Sequence, residues 1–147
     1  MDDVREAVQL DGGIVVGHDG SKCSQEALVW AATLAGRADL DLHVVRAWSM
    51  MSAPKPSTWE PGFVPPLTDY EQAVHDELSA HVKAARLDAA VRVTCHVVHK
   101  SPAQGLMSAA EGADLLVVGA RGRGGFAGLM LGAVSCLLYT SPSPRDS

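Results

Sequence analysis

A glycine-rich segment that also carries arginines has the residue types best suited to binding an anion. It holds six glycines and two arginines within fourteen residues, namely Gly119, Gly122, Gly124, Gly125, Gly128, Gly132, Arg121 and Arg123. Glycines allow a backbone to approach a ligand closely and to present its N–H groups, and arginines supply positive charge. The pattern predicts a phosphate-binding loop, although glycine-rich turns can also serve only to make tight connections.

This segment ends where a helix is predicted to begin, at Gly132, Ala133, Val134 and Ser135. Free N–H groups at the start of a helix favour phosphate. The chain has no GxxxxGK[ST] pattern, so a Walker-type loop is excluded. Gly122, Gly124 and Ala127 match a loose dinucleotide-binding pattern. However, they follow the fourth predicted strand and no acidic ribose partner lies downstream, which argues against a dinucleotide site.

A polar turn near the start of the chain is the second candidate, with the residues Gly17, His18, Asp19, Gly20 and Ser21. A carboxylate beside a phosphate is repelled unless it binds a ribose hydroxyl or a bridging divalent cation. Asp19 could equally be the N-cap of the helix that follows, a role that Ser21 could also fill. His18 could contact a base or a sugar, or be only a turn residue. The local sequence leaves these alternatives open.

Other chemistry has little support in the sequence. The histidines have no metal-ligand spacing such as HExxH, and no GxSxG segment is accompanied by a convincing Asp and His. No general base or nucleophile accompanies the glycine-rich loop, so we do not expect an enzyme; any hydrolysis of a bound phosphate compound would be slow and incidental. Cys23, Cys95 and Cys136 are scattered and are expected to be reduced thiols in the cytoplasm.

Both candidate loops follow apolar runs that are typical of buried parallel strands. These runs cover residues 14–17, 42–48, 91–98 and 114–118, with helical patterns between them. The order β-α-β-α-β-α-β predicts a doubly wound α/β domain with helices on both faces of a parallel sheet. Ligands of such sheets bind beyond the carboxyl ends of the strands, where both candidate loops lie.

The helical segments are predicted from apolar stripes and caps. The first helix carries apolar residues at helical spacing, namely Ala27, Leu28, Ala31, Leu34, Ala35 and Ala38. The second helix starts at Leu67. The third helix starts with Ser101 as N-cap and Pro102 at N1, and its core-facing residues are Leu106, Met107 and Ala110. Residues 50–66 contain five prolines, which predicts a long irregular excursion. Residues 1–12 are expected to be a flexible lead.

Composition limits the class of protein. The chain has 147 residues, of which 47% are apolar, and a net charge of −5, which suits one folded domain and argues against disorder. Lys and Arg number 12 against 17 Asp and Glu, and no basic block occurs, so nucleic acid is not an expected partner. The sequence shows no secretory pattern and no apolar stretch long enough to span a membrane.

Three separate segments together resemble the universal stress protein family. The nucleotide loop of that family reads G-x-x-G, nine residues, then G-[ST], and here Gly119, Gly122, residues 123–131 and Gly132 fit this spacing. The segments IVVGHDGS and LHVVRAW are also similar to the family. The resemblance covers residues 13–135, which are taken as an incomplete domain of that family.

The resemblance implies a Rossmann-like fold of the adenine nucleotide alpha-hydrolase type, with strand order 3-2-1-4-5. It implies ATP, or ADP or AMP, in the crevice between the strand ends, with Mg²⁺ as a candidate companion ion of the nucleotide. By position, the resemblance assigns the adenosine side to Gly17, His18 and Asp19, with Asp19 near the ribose and metal, and a backbone contact to adenine to Ala47. The ribose and phosphates are bordered by Val118, Gly119, Arg121, Gly122 and Arg123. Phosphate is held by Gly132, Ala133, Val134 and Ser135.

The sequence departs from the family pattern in two places. Ala133 stands where the family has Ser or Thr, which removes one hydroxyl donor to a charged phosphate, an interaction worth about 1.5–3 kcal/mol. After Ser135 the pattern stops: Pro142 and Pro144 interrupt any helix, and no fifth strand follows. Residues 136–147 are therefore expected to be a non-native tail.

The sequence thus predicts a regulatory stress-response module that binds an adenine nucleotide. A dimeric interaction module of the same fold that binds no nucleotide is the main alternative, favoured by Ala133. An adenylating or phosphotransfer enzyme is a third possibility. Family members commonly pair through the fifth strand, so we expect a homodimer whose formation is impaired here, with strand 4 exposed as an edge.

Overall fold

A computed structural model describes residues 4–119 of the chain. It contains seven elements, which are β1 (Ile14–Gly17), α1 (Lys22–Ala38), β2 (Leu42–Trp48), α2 (Leu67–Ala84), β3 (Val93–His99), α3 (Pro102–Ala110) and β4 (Leu115–Val117). The predicted alternation of strands and helices is confirmed over this range. The predictions for the glycine-rich loop beyond Gly119, for the fifth strand and for residues 136–147 lie outside the described residues.

The four strands form one parallel sheet in the order β3-β2-β1-β4. Ile14 of β1 pairs with Leu42 of β2 on one side and with Leu115 of β4 on the other. β1 therefore lies between two parallel neighbours, and its end lies beside theirs. The predicted order is confirmed for these four strands, and the fold is a Rossmann-like α/β fold.

Each face of the sheet is covered by a separate apolar cluster. Ile14 and Val16 of β1 pack with α1 and α2, and Val15 between them packs with α3. All three side chains are completely buried. Burial on both faces explains why β1 is an unbroken apolar run rather than an alternating one.

Capping residues set where two of the helices start. The Ser21 hydroxyl accepts a hydrogen bond from the Ser24 N–H at 3.1 Å, and α1 starts there. The predicted start of α3 is confirmed, because Ser101 caps the Gln104 N–H and Pro102 opens the helix. These side chains satisfy N–H groups that have no partner within the helix.

The predicted inner faces of the helices are correct in part. Leu106 and Ala110 of α3 are buried, but Met107 is 45% exposed, so its placement in the core was wrong. On α1, Leu34 is partly buried and Ala38 is exposed. Met107 follows Leu106 directly, so it lies about 100° further round the helix, away from the sheet.

Residues 4–12, for which the sequence predicts a flexible lead, make contacts with the sheet and with the end of α3. The His99 N–H on edge strand β3 donates to the Arg5 carbonyl at 2.8 Å, and the Gly12 N–H donates to the Gly112 carbonyl at 2.6 Å. Between these points Val8 is 3% exposed and packs in the α3-side cluster. The segment is polar in composition, but it satisfies a strand edge and covers part of the sheet.

The proline-rich excursion is confirmed as irregular, with turns and one isolated bridge between Glu60 and Phe63. Trp48, which precedes it, is fully buried, whereas Trp59 within it is partly exposed. No helix within residues 4–119 combines the length and the apolar character needed to cross a membrane.

A chain of side chains ties the N-terminal segment to the sheet. The Arg5 guanidinium lies 3.2 Å from Nδ1 of His96, and Nε2 of His96 lies 3.0 Å from Nδ1 of His43. Arginine can only donate, so the neutral His96 ring accepts at Nδ1. Burial, with the charges of His43 and Arg5, lowers the pKa of His96 to about 4. Burial also lowers the pKa of His43, against the opposing effect of Asp41.

Acidification should therefore weaken the folded state through His96. His96 takes up a proton near the ordinary pKa of 6.5 in the unfolded chain and near 4 in the folded protein. The contribution of His96 to the unfolding free energy is therefore fully present above pH 6.5 and is lost as the pH falls toward 4. Between pH 7.5 and pH 4.5, the unfolding free energy measured in urea should fall by about 1–2 kcal/mol more in the parent than in His96→Gln. The difference is this small because the ring is only partly buried. Equal losses in both proteins would contradict this assignment.

Candidate functional site

A cleft of about 690 Å³ opens at the carboxyl edge of the sheet, beside the ends of β1, β2 and β3. We call it the nucleotide cleft, after the ligand class that the family resemblance leads us to expect, and its walls are Asp19, Arg46, Ala47, Trp48, Ser49, Ser52, His99, Lys100, Ser101 and Pro102. Two of the predicted site residues, Asp19 and Ala47, are brought together here. The position matches the expectation that ligands bind beyond the carboxyl ends of parallel strands.

The turn after β1 shows which residue caps α1. Ser21 is the N-cap of α1, so Asp19 is not required for that role. One carboxylate oxygen of Asp19 accepts a hydrogen bond from the Ser21 N–H at 2.9 Å, which orients the side chain within the turn. The Asp19 carboxylate is thus held at the wall of the nucleotide cleft by the same turn that starts the helix.

His18 is turned into the protein rather than into the cleft. Its Nδ1 accepts from the Gly20 N–H at 3.1 Å, its Nε2 lies 2.8 Å from the Gln25 Oε1, and its ring lies 4.9 Å from that of His81. Both ring nitrogens are engaged, and burial lowers the pKa of His18, so the ring is neutral. The predicted contact of this side chain with a base or sugar is therefore not supported, and only its backbone remains for a ligand.

Arg46 is a buried cation that the sequence shows only as a polar interruption in an apolar strand. It is 6% exposed and pairs with the Glu77 carboxylate of α2 at 2.6 Å. Its charge contributes to the lowered pKa of His18. Arg46 also lines the nucleotide cleft, so its guanidinium, already paired with Glu77, borders the same cleft as the Asp19 carboxylate.

Gly119 marks the point where the chain leaves β4. Val118 before it is buried, and a Cβ built on Gly119 would lie 2.8 Å from the Cys23 carbonyl oxygen. Only glycine allows this close approach between the end of β4 and the first turn of α1. Gly17 and Val118 take their predicted places at the ends of β1 and β4. The other predicted phosphate residues lie outside the described range: Arg121, Gly122, Arg123, Gly132, Ala133, Val134 and Ser135.

The sequence did not single out the wall formed by the end of β3. His99 stacks on Trp48 with ring centroids 4.4 Å apart, and its Nδ1 lies 3.2 Å from the Trp48 carbonyl oxygen. Lys100 and Ser101 follow along the same wall. The available signal was positional, because His99, Lys100 and Ser101 directly follow an apolar strand and precede a capped helix, which is where a ligand-binding loop is expected.

A second hollow, of about 520 Å³, lies at the opposite edge of the sheet, where α1 and α2 end; we call it the opposite hollow. It is bordered by Arg37, Arg86 and Arg92, and Arg92 is already paired with Asp39. It lies away from the turn after β1 and from Gly119. Within residues 4–119 no group of three or more His, Cys, Asp or Glu side chains could hold a metal ion.

Comparison with known proteins agrees with the fold. The model of the universal stress protein family matches residues 13–136, and this chain belongs to that family. Universal stress protein Rv2623 of Mycobacterium tuberculosis is 38% identical over 123 residues, covering 82% of this chain and 39% of that protein. The chain thus spans well under half the length of this relative.

Solved structures include similar chains. Universal stress protein UspA from Lactobacillus plantarum has 18% sequence identity and a TM-score of 0.52, and the match covers 86% of this chain and 88% of that one. This likeness concerns the fold. A universal stress protein crystallised in complex with cAMP is 25% identical, with a TM-score of 0.49, covering 79% of this chain and 73% of that chain.

Replacement of Gly119 should disturb the junction between β4 and α1. Gly119→Ala places a methyl group against the Cys23 backbone, which cannot move as a flexible side chain can, so we expect a loss of about 1–3 kcal/mol in unfolding free energy. Gly36→Ala, within α1, meets Val91 only at 3.4 Å and should instead gain about 0.5–1 kcal/mol. Urea denaturation measures both, and an unchanged midpoint for Gly119→Ala would contradict the close approach.

Proposed function

We propose that this protein binds an adenine nucleotide, with ATP as the expected ligand, in the nucleotide cleft. The observation that carries the proposal is that Asp19 and Ala47, which are far apart in the sequence, line the same cleft at the carboxyl edge of the sheet. The motif that starts at Gly119, which is G-x-x-G followed by nine residues and a further glycine, is expected to form the phosphate-binding half of such a site. Membership of the universal stress protein family supports the same ligand class.

Each group in the cleft has chemistry that suits part of a nucleotide. The Asp19 carboxylate can accept hydrogen bonds from ribose hydroxyls, or help to hold a Mg²⁺ ion that a triphosphate brings with it. Backbone groups of Ala47 at the end of β2 can pair with the edge of adenine. The glycines and the arginines Arg121 and Arg123 suit the phosphates, because glycine-rich backbone N–H groups and guanidinium groups both favour anions.

The proposed role is regulatory binding rather than catalysis. The wall residues supply a carboxylate, a buried paired arginine and backbone groups, and no positioned nucleophile with its base accompanies them within residues 4–119. Nucleotide occupancy would then report cellular state to a partner. We further propose a cytoplasmic location and a homodimer, as the composition and the family resemblance suggest.

A dimeric interaction module that binds no nucleotide is the competing function. The residue that favours it is Ala133, because the family's Ser or Thr at this position would donate a hydroxyl hydrogen bond to phosphate. The backbone N–H of Ala133 and the Ser135 hydroxyl can still serve a phosphate, so the loss weakens one contact and leaves others. The two functions therefore differ in how they respond when this hydroxyl is restored.

Restoring the hydroxyl should tighten nucleotide binding. Calorimetric titration with Mg-ATP should show saturable binding to the full chain, about tenfold tighter binding to Ala133→Ser, and weaker binding to Asp19→Ala. Ala38→Ser, an exposed change at the far end of α1, is the matched control and should leave the affinity unchanged. No heat with any of the four proteins would reject the nucleotide function and favour the interaction module.

A further inference from the structure

His99 is held in a single orientation at the wall of the nucleotide cleft. The backbone N–H of His99 donates to the Arg5 carbonyl at 2.8 Å, so the N-terminal segment fixes the backbone of His99. Its ring stacks on the fully buried Trp48, with centroids 4.4 Å apart and the planes 30° from parallel. The His99 side chain is only partly buried, which leaves part of the ring open on the cleft side.

The hydrogen bond made by Nδ1 determines which nitrogen carries the proton. Nδ1 lies 3.2 Å from the carbonyl oxygen of Trp48, and a carbonyl can only accept. Nδ1 is therefore the N–H of the neutral ring, and Nε2 is left with a lone pair. Among residues 4–119, Nε2 of His99 has no hydrogen-bond partner, whereas both nitrogens of the buried His18 are engaged.

A cleft-wall acceptor of this kind distinguishes purines by the group at position 6. Adenine carries a 6-amino group, which donates, and guanine and hypoxanthine carry a 6-oxo group, which only accepts. A 6-amino group can donate to Nε2, whereas a 6-oxo group would face its lone pair and leave both acceptors unpaired. Sites built around one such hydrogen bond reject the mismatched analogue strongly.

We infer that His99 is the residue by which this protein selects 6-amino purine nucleotides over 6-oxo purine nucleotides. The selection uses Nε2 as a fixed acceptor, with Trp48 as the platform that holds the ring. This inference rests on the nucleotide function proposed above and adds a determinant on β3 to the contacts expected from β1, β2 and the glycine-rich loop. His99 acts on the choice of base, and Asp19 acts on affinity for any ribonucleotide.

Comparison of ATP with ITP changes only the base edge at position 6 and the neighbouring N1, because the two nucleotides share ribose and triphosphate. We expect the full chain to bind Mg-ATP at least tenfold more tightly than Mg-ITP in calorimetric titrations. In His99→Asn, the amide NH2 can still donate to the Trp48 carbonyl, but the shorter side chain places no acceptor at the position of Nε2. This variant should bring the ratio of the two affinities close to one, mainly by weakening ATP.

Two controls separate base selection from general damage. His75→Asn makes the same substitution on α2, outside the cleft walls, and should keep the parent ratio. Asp19→Ala should weaken ATP and ITP together and also keep the ratio. A parent protein that binds both nucleotides equally, or a His99→Asn variant that keeps the parent preference, would overturn the role of His99 while leaving nucleotide binding in place. If neither ATP nor ITP binds, both the nucleotide function and the role of His99 are overturned.

Discussion

Enclosure of β1 on both faces and along both edges is the constraint on which the rest of the structure depends. Ile14, Val15 and Val16 are completely buried, and the strand is paired in parallel with β2 and with β4. Parallel neighbours can be joined only by crossovers, which here are helices that cover the two faces. The strand ends consequently meet at one edge, and the turn after β1 lies in the middle of that edge.

The polar groups near this edge are largely engaged in holding one another. His18 is bonded to Gln25 and Gly20, and Arg46 is paired with Glu77. Buried polar groups need such partners, because an unpaired one costs about 1–3 kcal/mol. These pairings orient the side chains at and behind the cleft wall. Preorganisation of this kind lowers the cost of binding, and the selection proposed for His99 Nε2 depends on it.

The local patterns of the sequence predicted the elements well because they depend on neighbouring residues. The apolar run 14–17 and the Ser101-Pro102 helix start are found where they were expected. Contacts between distant segments had no such signal. Val8 is an isolated apolar residue in a polar segment, yet it is buried because the segment crosses the sheet. Asp19 and Ala47 were placed in the site through the family resemblance, whereas the His99 wall emerged only once β2 and β3 were paired.

The central claim, that a nucleotide binds at the carboxyl edge of the sheet, can be tested residue by residue. Backbone amide shifts of the ¹⁵N-labelled full chain, followed during titration with Mg-ATP, report where the ligand lies. The largest changes should occur at Asp19, Ala47 and His99 and at Gly119, with the opposite hollow around Arg37 and Arg86 unaffected. Changes confined to the opposite hollow, or no changes at saturating nucleotide, would contradict the claim.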